Sequence, residues 1–281
     1  MLGSDIETPS HVSALALWYS DQLLQFGGLF WTLCYAFFVR ASMRDRTYGM
    51  PMFSIANNLA MDSVFGLFLA SDTTERVGFA SWALIQLGMA YAVCTYGSNE
   101  WAHAPAVQGQ IRKIFALMLT GCVLMQLSFT RWWIQNDIGA HRGKTFYGHV
   151  GGPDMMELAF WSALVLQVYF AAASLAQLLV RGHTGGVDWS VLSTRLLGTI
   201  LGVYGAYAVR WWYWPEQHEY FVNPFALILM LVGLAADVVY VFVFAHIRKS
   251  ETVLSDGRRV PAAAAGFTTT ATELNSVREK N

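Results

Sequence analysis

Long apolar tracts, separated by short polar or charged segments, dominate the pattern of this chain. Each tract has about the 20 mostly apolar residues that a helix needs to cross the hydrocarbon core of a bilayer. Seven such tracts can be drawn, so the pattern predicts an all-α integral membrane protein, a bundle of seven transmembrane helices. Their approximate bounds are 17–39, 50–70, 77–96, 114–133, 156–180, 192–211 and 222–247.

Composition agrees with this class. Of the 281 residues, 55% are hydrophobic and 13% are charged, which is about half the charge of a typical soluble domain. These values exclude a soluble α/β enzyme, and the net charge of −1 provides no basic field for nucleic acid. Cys34, Cys94 and Cys122 are far apart inside apolar tracts, so we expect them to be packing residues and not disulfides or metal ligands.

The distribution of Lys and Arg predicts the orientation. With the amino terminus outside, five of the 18 basic residues fall in non-cytoplasmic segments and thirteen in cytoplasmic ones. The amino terminus is therefore predicted to be lumenal and the carboxy terminus cytosolic. The first 14 residues lack a basic region, so no cleavable signal peptide is expected. Residues 1–249 are predicted to form one seven-helix membrane domain, and 250–281 a disordered cytosolic tail.

Two loops predicted on the lumenal side are rich in polar and aromatic residues. Residues 136–154 contain His141, Tyr147 and His149, and residues 211–220 contain several Trp, His and Glu side chains. The second loop has two interpretations that the sequence leaves open. It is either an aromatic belt at the membrane surface or a lid over a cavity that opens on the lumenal side.

Two carboxylates lie deep inside predicted spans. Asp62 follows the start of the second tract by 12 residues and Asp237 follows the start of the seventh by 15, which is about 18 Å and about 22 Å of helix. Because these spans run in opposite directions, both carboxylates are predicted at comparable depths. An ionisable side chain there costs roughly 2.5–3.5 kcal/mol, so it faces a protein interior or a cavity.

Each carboxylate could be a hydrogen-bonded contact between helices, or both could line one cavity. In the second case a carboxyl in apolar surroundings can keep its proton at neutral pH and act as an acid. No Lys or Arg is expected at the same depth to neutralise the two, and Arg195 is expected to snorkel to the cytosolic surface. The matching depths favour the cavity.

Four further residues are candidates for binding a substrate in such a cavity. Asn58 precedes Asp62 by one helical turn, and Tyr240 follows Asp237 closely on the same side. Glu157 begins the fifth span one turn before Trp161; it either complements the helix dipole or points into the cavity. Aromatic rings such as Trp161 and Tyr240 could stabilise a carbocation.

Three classes of seven-helix protein compete with an enzyme. A retinal pigment is excluded because Lys113, Lys144, Lys249 and Lys280 all lie in loops, at span ends or in the tail. The motifs of a G-protein-coupled receptor are absent from the sequence. A proton-coupled small-molecule transporter remains the alternative, since paired intramembrane acids are typical of proton coupling.

Several motifs resemble one family. TYGMP at 47–51, NLAMD at 58–62, TRLLGT at 194–199 and LAADVVY at 234–240 are similar to segments of the fungal membrane-bound terpene cyclases of the pyripyropene-type meroterpenoid and indole-diterpene pathways. The resemblance covers nearly the whole chain up to about Lys249. One departure is that a Trp–Glu pair of the family is Met61–Asp62 here, so the acid is one methylene shorter.

The resemblance implies cyclisation of a prenylated aromatic, polyketide or indole compound whose terminal alkene a separate flavin enzyme has epoxidised. Asp62 would be the catalytic general acid, and Asp237 would polarise it, stabilise the developing charge or take part in the final proton loss. No metal or nucleotide site is evident, so no cofactor is expected. The expected partners are the bilayer of the endoplasmic reticulum, a lipophilic substrate, and an upstream prenyltransferase and flavin epoxidase.

Overall fold

The structure is a computed structural model that describes residues 10–70, 73–139 and 153–262. Its helices are α1 (Ala14–Arg44), α2 (Met52–Val64), α3 (Thr73–Tyr96), α4 (Pro105–Gln108), α5 (Ile111–Gln135), α6 (Met155–Arg181), α7 (Trp189–Gly198), α8 (Ala206–Tyr213), α9 (Pro215–His218) and α10 (Pro224–Ser250). Short 3₁₀ helices cover Gly97–Trp101 and Glu219–Val222. Strands β1 (Glu251–Val253) and β2 (Arg259–Pro261) pair in an antiparallel hairpin.

Two π-helical turns, in which each hydrogen bond spans five residues, modify the long helices. One of them, Phe65–Leu69, extends α2. The other, Thr199–Gly205, joins α7 to α8, and we call the continuous helix from 189 to 213 the α7–α8 run. Such turns are frequent at functional sites, and both of these border the cavity described below.

Within the described residues, six helical segments are long and apolar enough to cross a bilayer. They are α1, α2 with its π turn, α3 with the 3₁₀ helix that follows it, α5, α6 and α10. The predicted sixth tract is helical as well, but it is not among the six. Arg195, Arg210 and the aromatic end of the α7–α8 run lower its hydropathy. The count of seven spans and the orientation therefore stay predictions.

Polar caps and a glycine set the ends of the helices around the site. Asp154 accepts a hydrogen bond from the backbone nitrogen of Glu157 at 2.9 Å and begins α6. Gly182, with φ of 63°, ends the same helix in the left-handed conformation. Asn223 caps α10 by accepting a hydrogen bond from the Phe225 nitrogen at 2.9 Å. Asp154 therefore stabilises the start of α6.

The long helices pack closely against one another in the bundle. α1 lies against α3 and the α7–α8 run, and α6 lies against α2 and α10. Gly27 on α1 approaches Gly202 so closely that a Cβ atom at position 27 would lie 2.6 Å from the Gly202 nitrogen. On the outer faces, large apolar side chains such as Leu67, Leu117 and Phe242 are exposed, as expected for surfaces that contact lipid.

The carboxy-terminal tail differs from its prediction. Residues 251–261 form the β1–β2 hairpin, so the prediction of disorder is wrong for them, and residues 263–281 lie outside the described residues. Arg259 donates to Asp45 at 3.2 Å and to Glu251 at 2.7 Å. Glu251 in turn accepts a hydrogen bond from the Thr184 nitrogen at 2.7 Å. These polar contacts hold a segment that has little apolar area of its own.

Asp45 connects this hairpin to the end of α1. Burial acts to raise the pKa of its carboxyl, but hydrogen bonds from Arg44, at 2.6 Å, and from the Gly186 nitrogen, at 3.0 Å, outweigh that effect. The pKa of Asp45 therefore lies below its usual value. The contacts of the hairpin with the bundle consequently depend on a carboxylate that stays ionised at neutral pH.

The two loops predicted on the lumenal side have different outcomes. Residues 140–152, with the His and Tyr residues noted above, lie outside the described residues. In the other loop, Gln217 donates to Asp154 at 2.7 Å and Tyr220 packs against Phe160 of α6. The described part of this loop thus rests on the start of α6, and its role as a belt or a lid stays a prediction.

Candidate active site

A cavity of about 570 Å³ lies between α1, α2, α3, α6 and the α7–α8 run. Its walls are mainly apolar and aromatic, with polar side chains at a few points. The polar lining residues include Gln25, Thr32, Asn58, Asp62, Glu75 and Gln167. This volume and this mixture of side chains are typical of sites for small lipophilic ligands.

Asp62 lines the cavity from α2 and is 4% exposed. Its Oδ2 atom accepts a hydrogen bond from the side-chain amide of Gln86 on α3. Among residues 10–70, 73–139 and 153–262, no cationic side chain is paired with Asp62. Burying an ionised carboxylate without a counter-charge is costly, so this environment favours the neutral, protonated acid.

Asp237 does not line this cavity, although both carboxylates were predicted to reach it. It forms an ion pair with Arg195 of α7, and both side chains are 3% exposed. Gln167 of α6, which does line the cavity, donates a hydrogen bond to Asp237 at 3.1 Å. The expectation that Arg195 snorkels is therefore wrong, and the expectation that no cation neutralises the acids is wrong for Asp237, because the pair satisfies both charges inside the bundle.

Arg195 also accounts for the position of Tyr240. Its guanidinium carbon lies 4.1 Å from the centre of the Phe170 ring and 5.4 Å from the centre of the Tyr240 ring. Phe170 lines the cavity, whereas Tyr240 is buried in the core and is not a lining residue. The expectation that Tyr240 faces the cavity is not met, because its ring faces Arg195 instead.

The other three predicted binding residues have mixed outcomes. Asn58 lines the cavity one turn before Asp62, as its spacing predicted, and its binding role stays a prediction. Glu157 and Trp161 are not lining residues. The Trp161 indole nitrogen donates to Glu157 at 3.1 Å, and its ring stacks on Phe225 of α10. The ring contact directs Trp161 towards the start of α10, and the Glu157 carboxylate meets the Trp161 indole instead of lining the cavity.

Comparison with known proteins shows which family the chain belongs to. Residues 6–250 match the family described as Pyr4-like transmembrane terpene cyclases. The chain belongs to this family. The chain is 36% identical over 259 residues to terpene cyclase ascF of Acremonium egyptiacum. The aligned region covers 92% of this chain and 93% of that protein. The resemblance inferred from the motifs is therefore confirmed.

Further members of the transmembrane terpene cyclase family are similar over most of their length. Terpene cyclase janB of Penicillium janthinellum is 30% identical over 237 residues, covering 84% of this chain and 88% of that protein. Pyr4-family terpene cyclase mfmH of Annulohypoxylon moriforme is 28% identical over 231 residues, with 82% and 87% covered. No solved structure matches the chain.

Several residues of this candidate site were missed by sequence reasoning. Gln86 and Gln167, which bind the two carboxylates, are glutamines inside apolar tracts, and an amide at that depth is a signal that it has a partner on another helix. The aromatic walls of the cavity are formed by Trp31, Tyr35, Phe65, Phe79, Trp82, Phe170 and Tyr207. With 15% of the chain aromatic, the pattern alone could not separate these rings from those that face lipid.

The side chains that could bind a metal ion lie apart from one another in the described residues. Among the described residues, no group of three or more His, Cys, Asp or Glu side chains is arranged to hold a metal ion. Cys34 and Cys122 are buried and Cys94 is half-buried, and all three are free thiols. The groups that face the cavity are thus one buried carboxyl, amides, hydroxyls, the carboxylate of Glu75 and aromatic rings.

Proposed function

We propose that this family member is an acid-initiated terpene cyclase in which Asp62 donates the first proton. The substrate is a prenylated aromatic, polyketide or indole compound with a terminal epoxide or alkene. The observation that carries the proposal is that Asp62, buried and without a cationic partner among the described residues, lines an apolar cavity of about 570 Å³. A neutral carboxylic acid in such a place is a proton donor.

The proton and electron balance is simple. The Asp62 proton moves to the epoxide oxygen, and the bond from that oxygen to the more substituted carbon breaks, leaving a hydroxyl group and a tertiary carbocation. Alkene π electrons then attack the cation in sequence and form the rings. Loss of one proton from carbon, or from a nucleophilic hydroxyl or N–H group of the substrate, ends the reaction, and the Asp62 carboxylate takes up a proton to restore the neutral acid. One proton enters and one leaves, so the reaction is an isomerisation.

The cavity walls suit a cationic intermediate. The aromatic rings that face the cavity, among them Trp31, Phe79 and Trp82, present π faces and edges to whatever lies inside. A desolvated cation over an aromatic face gains about 2 kcal/mol or more. The scarcity of polar groups also keeps water away from the carbocation, which would otherwise be captured as an alcohol.

The position of the acid suggests how a substrate lies in the cavity. Thr74, in the first turn of α3, is exposed and lines the cavity, whereas Gln86 contacts Asp62 twelve residues later on the same helix. That separation is about 18 Å at helical rise. The prenyl terminus that receives the proton would therefore lie at the inner end beside Asp62, and the aromatic head would lie near Gln25, Thr74 and Glu75.

Asp237 has a different role in this proposal from the one expected. Because it neutralises Arg195 and accepts a hydrogen bond from Gln167, it acts through residues that reach the cavity and does not touch the substrate. Its pairing also weakens the alternative of a proton-coupled transporter, which depends on two intramembrane acids that exchange protons. We place the reaction in the endoplasmic reticulum membrane, after a prenyltransferase and a flavin epoxidase have made the lipophilic substrate.

The proposal can be tested by supplying candidate substrates to microsomes that contain the protein. Microsomes that contain the wild-type chain are supplied with an epoxyfarnesyl aromatic compound and, separately, with an epoxygeranylgeranyl indole. The proposal predicts a product of unchanged mass and altered chromatographic retention with at least one of them, and none in microsomes without the protein. Uptake of either compound into sealed vesicles without chemical change would instead support a transporter and contradict the proposal.

A further inference from the structure

Gln86 is completely buried on α3 and does not line the cavity. Its amide nitrogen donates a hydrogen bond to Oδ2 of Asp62, and this is the one hydrogen bond to that carboxyl among the described residues. Gln86 thus approaches Asp62 from the side away from the substrate space. Because one carboxyl oxygen is occupied, Oδ1 is left to carry the transferable proton towards the cavity.

The oxygen of the Gln86 amide lies in a different environment from its nitrogen. The Oε1 atom is buried and has no hydrogen-bond partner among residues 10–70, 73–139 and 153–262. A buried acceptor without a partner is destabilising, so a glutamine kept only for packing would be better replaced by an apolar side chain. Polar groups left unsatisfied in this way call for an explanation, and a catalytic role is one of the recognised explanations.

The chemistry at Asp62 supplies that explanation. Before the reaction the hydrogen bond from Gln86 meets a neutral carboxyl, and after proton transfer it meets a carboxylate. Hydrogen bonds to an ionised acceptor are roughly twice as strong as neutral ones. The Gln86 bond therefore strengthens as the proton leaves, so it stabilises the transition state more than the bound substrate, and such an interaction raises kcat.

We infer that Gln86 is a positioning residue that holds the Asp62 carboxyl and stabilises its conjugate base during proton transfer. The inference rests on the proposed function, because it gives Gln86 a purpose only if Asp62 is the acid. It predicts that loss of the amide donor lowers kcat and leaves KM almost unchanged, since Gln86 is behind the carboxyl and makes no contact with the cavity.

The chain offers a matched control. Gln126 on α5 is 4% exposed, and its amide nitrogen donates to Oδ1 of Asn57 on α2 at 2.9 Å. This is the same side chain making the same kind of bond to the same helix, but neither Gln126 nor Asn57 lines the cavity. Gln126→Met therefore reports the general effect of losing a buried amide hydrogen bond between helices.

The experiment measures kcat and KM in microsomes for a substrate that the wild-type chain cyclises, with enzyme amounts determined by immunoblot. We expect Gln86→Met to lower kcat at least tenfold with KM within about threefold of wild type, and Gln126→Met to change kcat less than twofold. Equal losses of kcat in the two variants, or a loss confined to KM, would overturn the inference. Asp62→Asn runs in parallel: if it stays fully active, the proposed function itself fails.

A swap of side-chain lengths adds a readout that a purely structural role would not move. Gln86→Asn shortens the donor by one methylene, and Asp62→Glu lengthens the acid by one. If the two groups act as a pair, the double variant should recover at least fivefold in kcat over Gln86→Asn alone, because the reach across the gap is restored. Additive losses in the double variant, with Asp62→Asn inactive, would overturn the role of Gln86 and leave Asp62 as the acid.

Discussion

Removing the charge of Asp237 should damage the fold more than the chemistry. Asp237→Asn leaves the Arg195 guanidinium in a site where both side chains are 3% exposed. Breaking a buried ion pair by removing one partner typically costs about 3–5 kcal/mol. The Phe170 and Tyr240 rings that face Arg195 offset a part of this loss. We therefore expect a loss of about 3 kcal/mol, at the lower end of that range.

Two measurements check this expectation. The first is the amount of variant that accumulates in microsomes, and the second is its melting temperature in detergent; both should fall clearly below wild type. Asp21→Asn is the matched control, because Asp21 pairs with Arg210 at 2.5 Å in a more accessible place, where the side chains are 33% and 11% exposed. A pair of this kind is worth about 0–1 kcal/mol, so the control should resemble wild type.

A double variant separates structure from catalysis at this position. Asp237→Asn combined with Arg195→Met removes both charges, so accumulation and melting temperature should return towards wild type. Turnover per folded molecule should then lie within about tenfold of wild type, because Asp237 does not line the cavity. A single Asp237→Asn variant that accumulates and melts like wild type would refute the structural reasoning, and a folded but inactive double variant would give Asp237 a chemical role.

Three further predictions concern the packing of α1 and the hairpin. Gly27→Ala should lower the melting temperature, because its Cβ would meet the Gly202 backbone. Gly121→Ala should not, because among the described residues its Cβ would have no atom within 4 Å apart from its own helix backbone. Equal melting of the two variants would contradict the close contact. Arg259→Met should speed proteolysis of residues 251–261. The pKa of Asp45 is lowered on folding, so its ionised carboxylate contributes fully to stability at neutral pH. That contribution is lost as the pH falls below about 4. Cleavage of the wild-type hairpin by an acid-active protease should therefore accelerate only below that pH.

The class of fold and the acid of the site could be predicted from the sequence because both depend on local patterns. Apolar tracts of helical length indicate membrane spans, and a carboxylate such as Asp62 inside one of them demands an explanation. Asn58 was placed correctly by the same logic, since a spacing of four residues puts two side chains on one helix face. These inferences need no knowledge of how the helices pack together.

The features that the sequence did not predict depend on contacts between distant segments, which a single sequence does not reveal. Arg195 and Asp237 are 42 residues apart, and only the packing of α7 near α10 shows that they neutralise each other. Trp161 and Tyr240 were expected at the cavity, but contacts with Glu157 and Arg195 direct them elsewhere. The hairpin at 251–261 was missed because its stability comes from charges on other segments, such as Asp45.

The central claim is that Asp62 supplies the proton that begins cyclisation. Its most direct test is the rate of product formation by Asp62→Asn relative to wild type, at equal amounts of folded protein in microsomes and with saturating substrate. Asparagine keeps the size and the hydrogen bond from Gln86 but has no acidic proton, and general acids contribute about 10²- to 10⁴-fold to rates. The account predicts a fall of at least 100-fold; a rate within a few fold of wild type would contradict it.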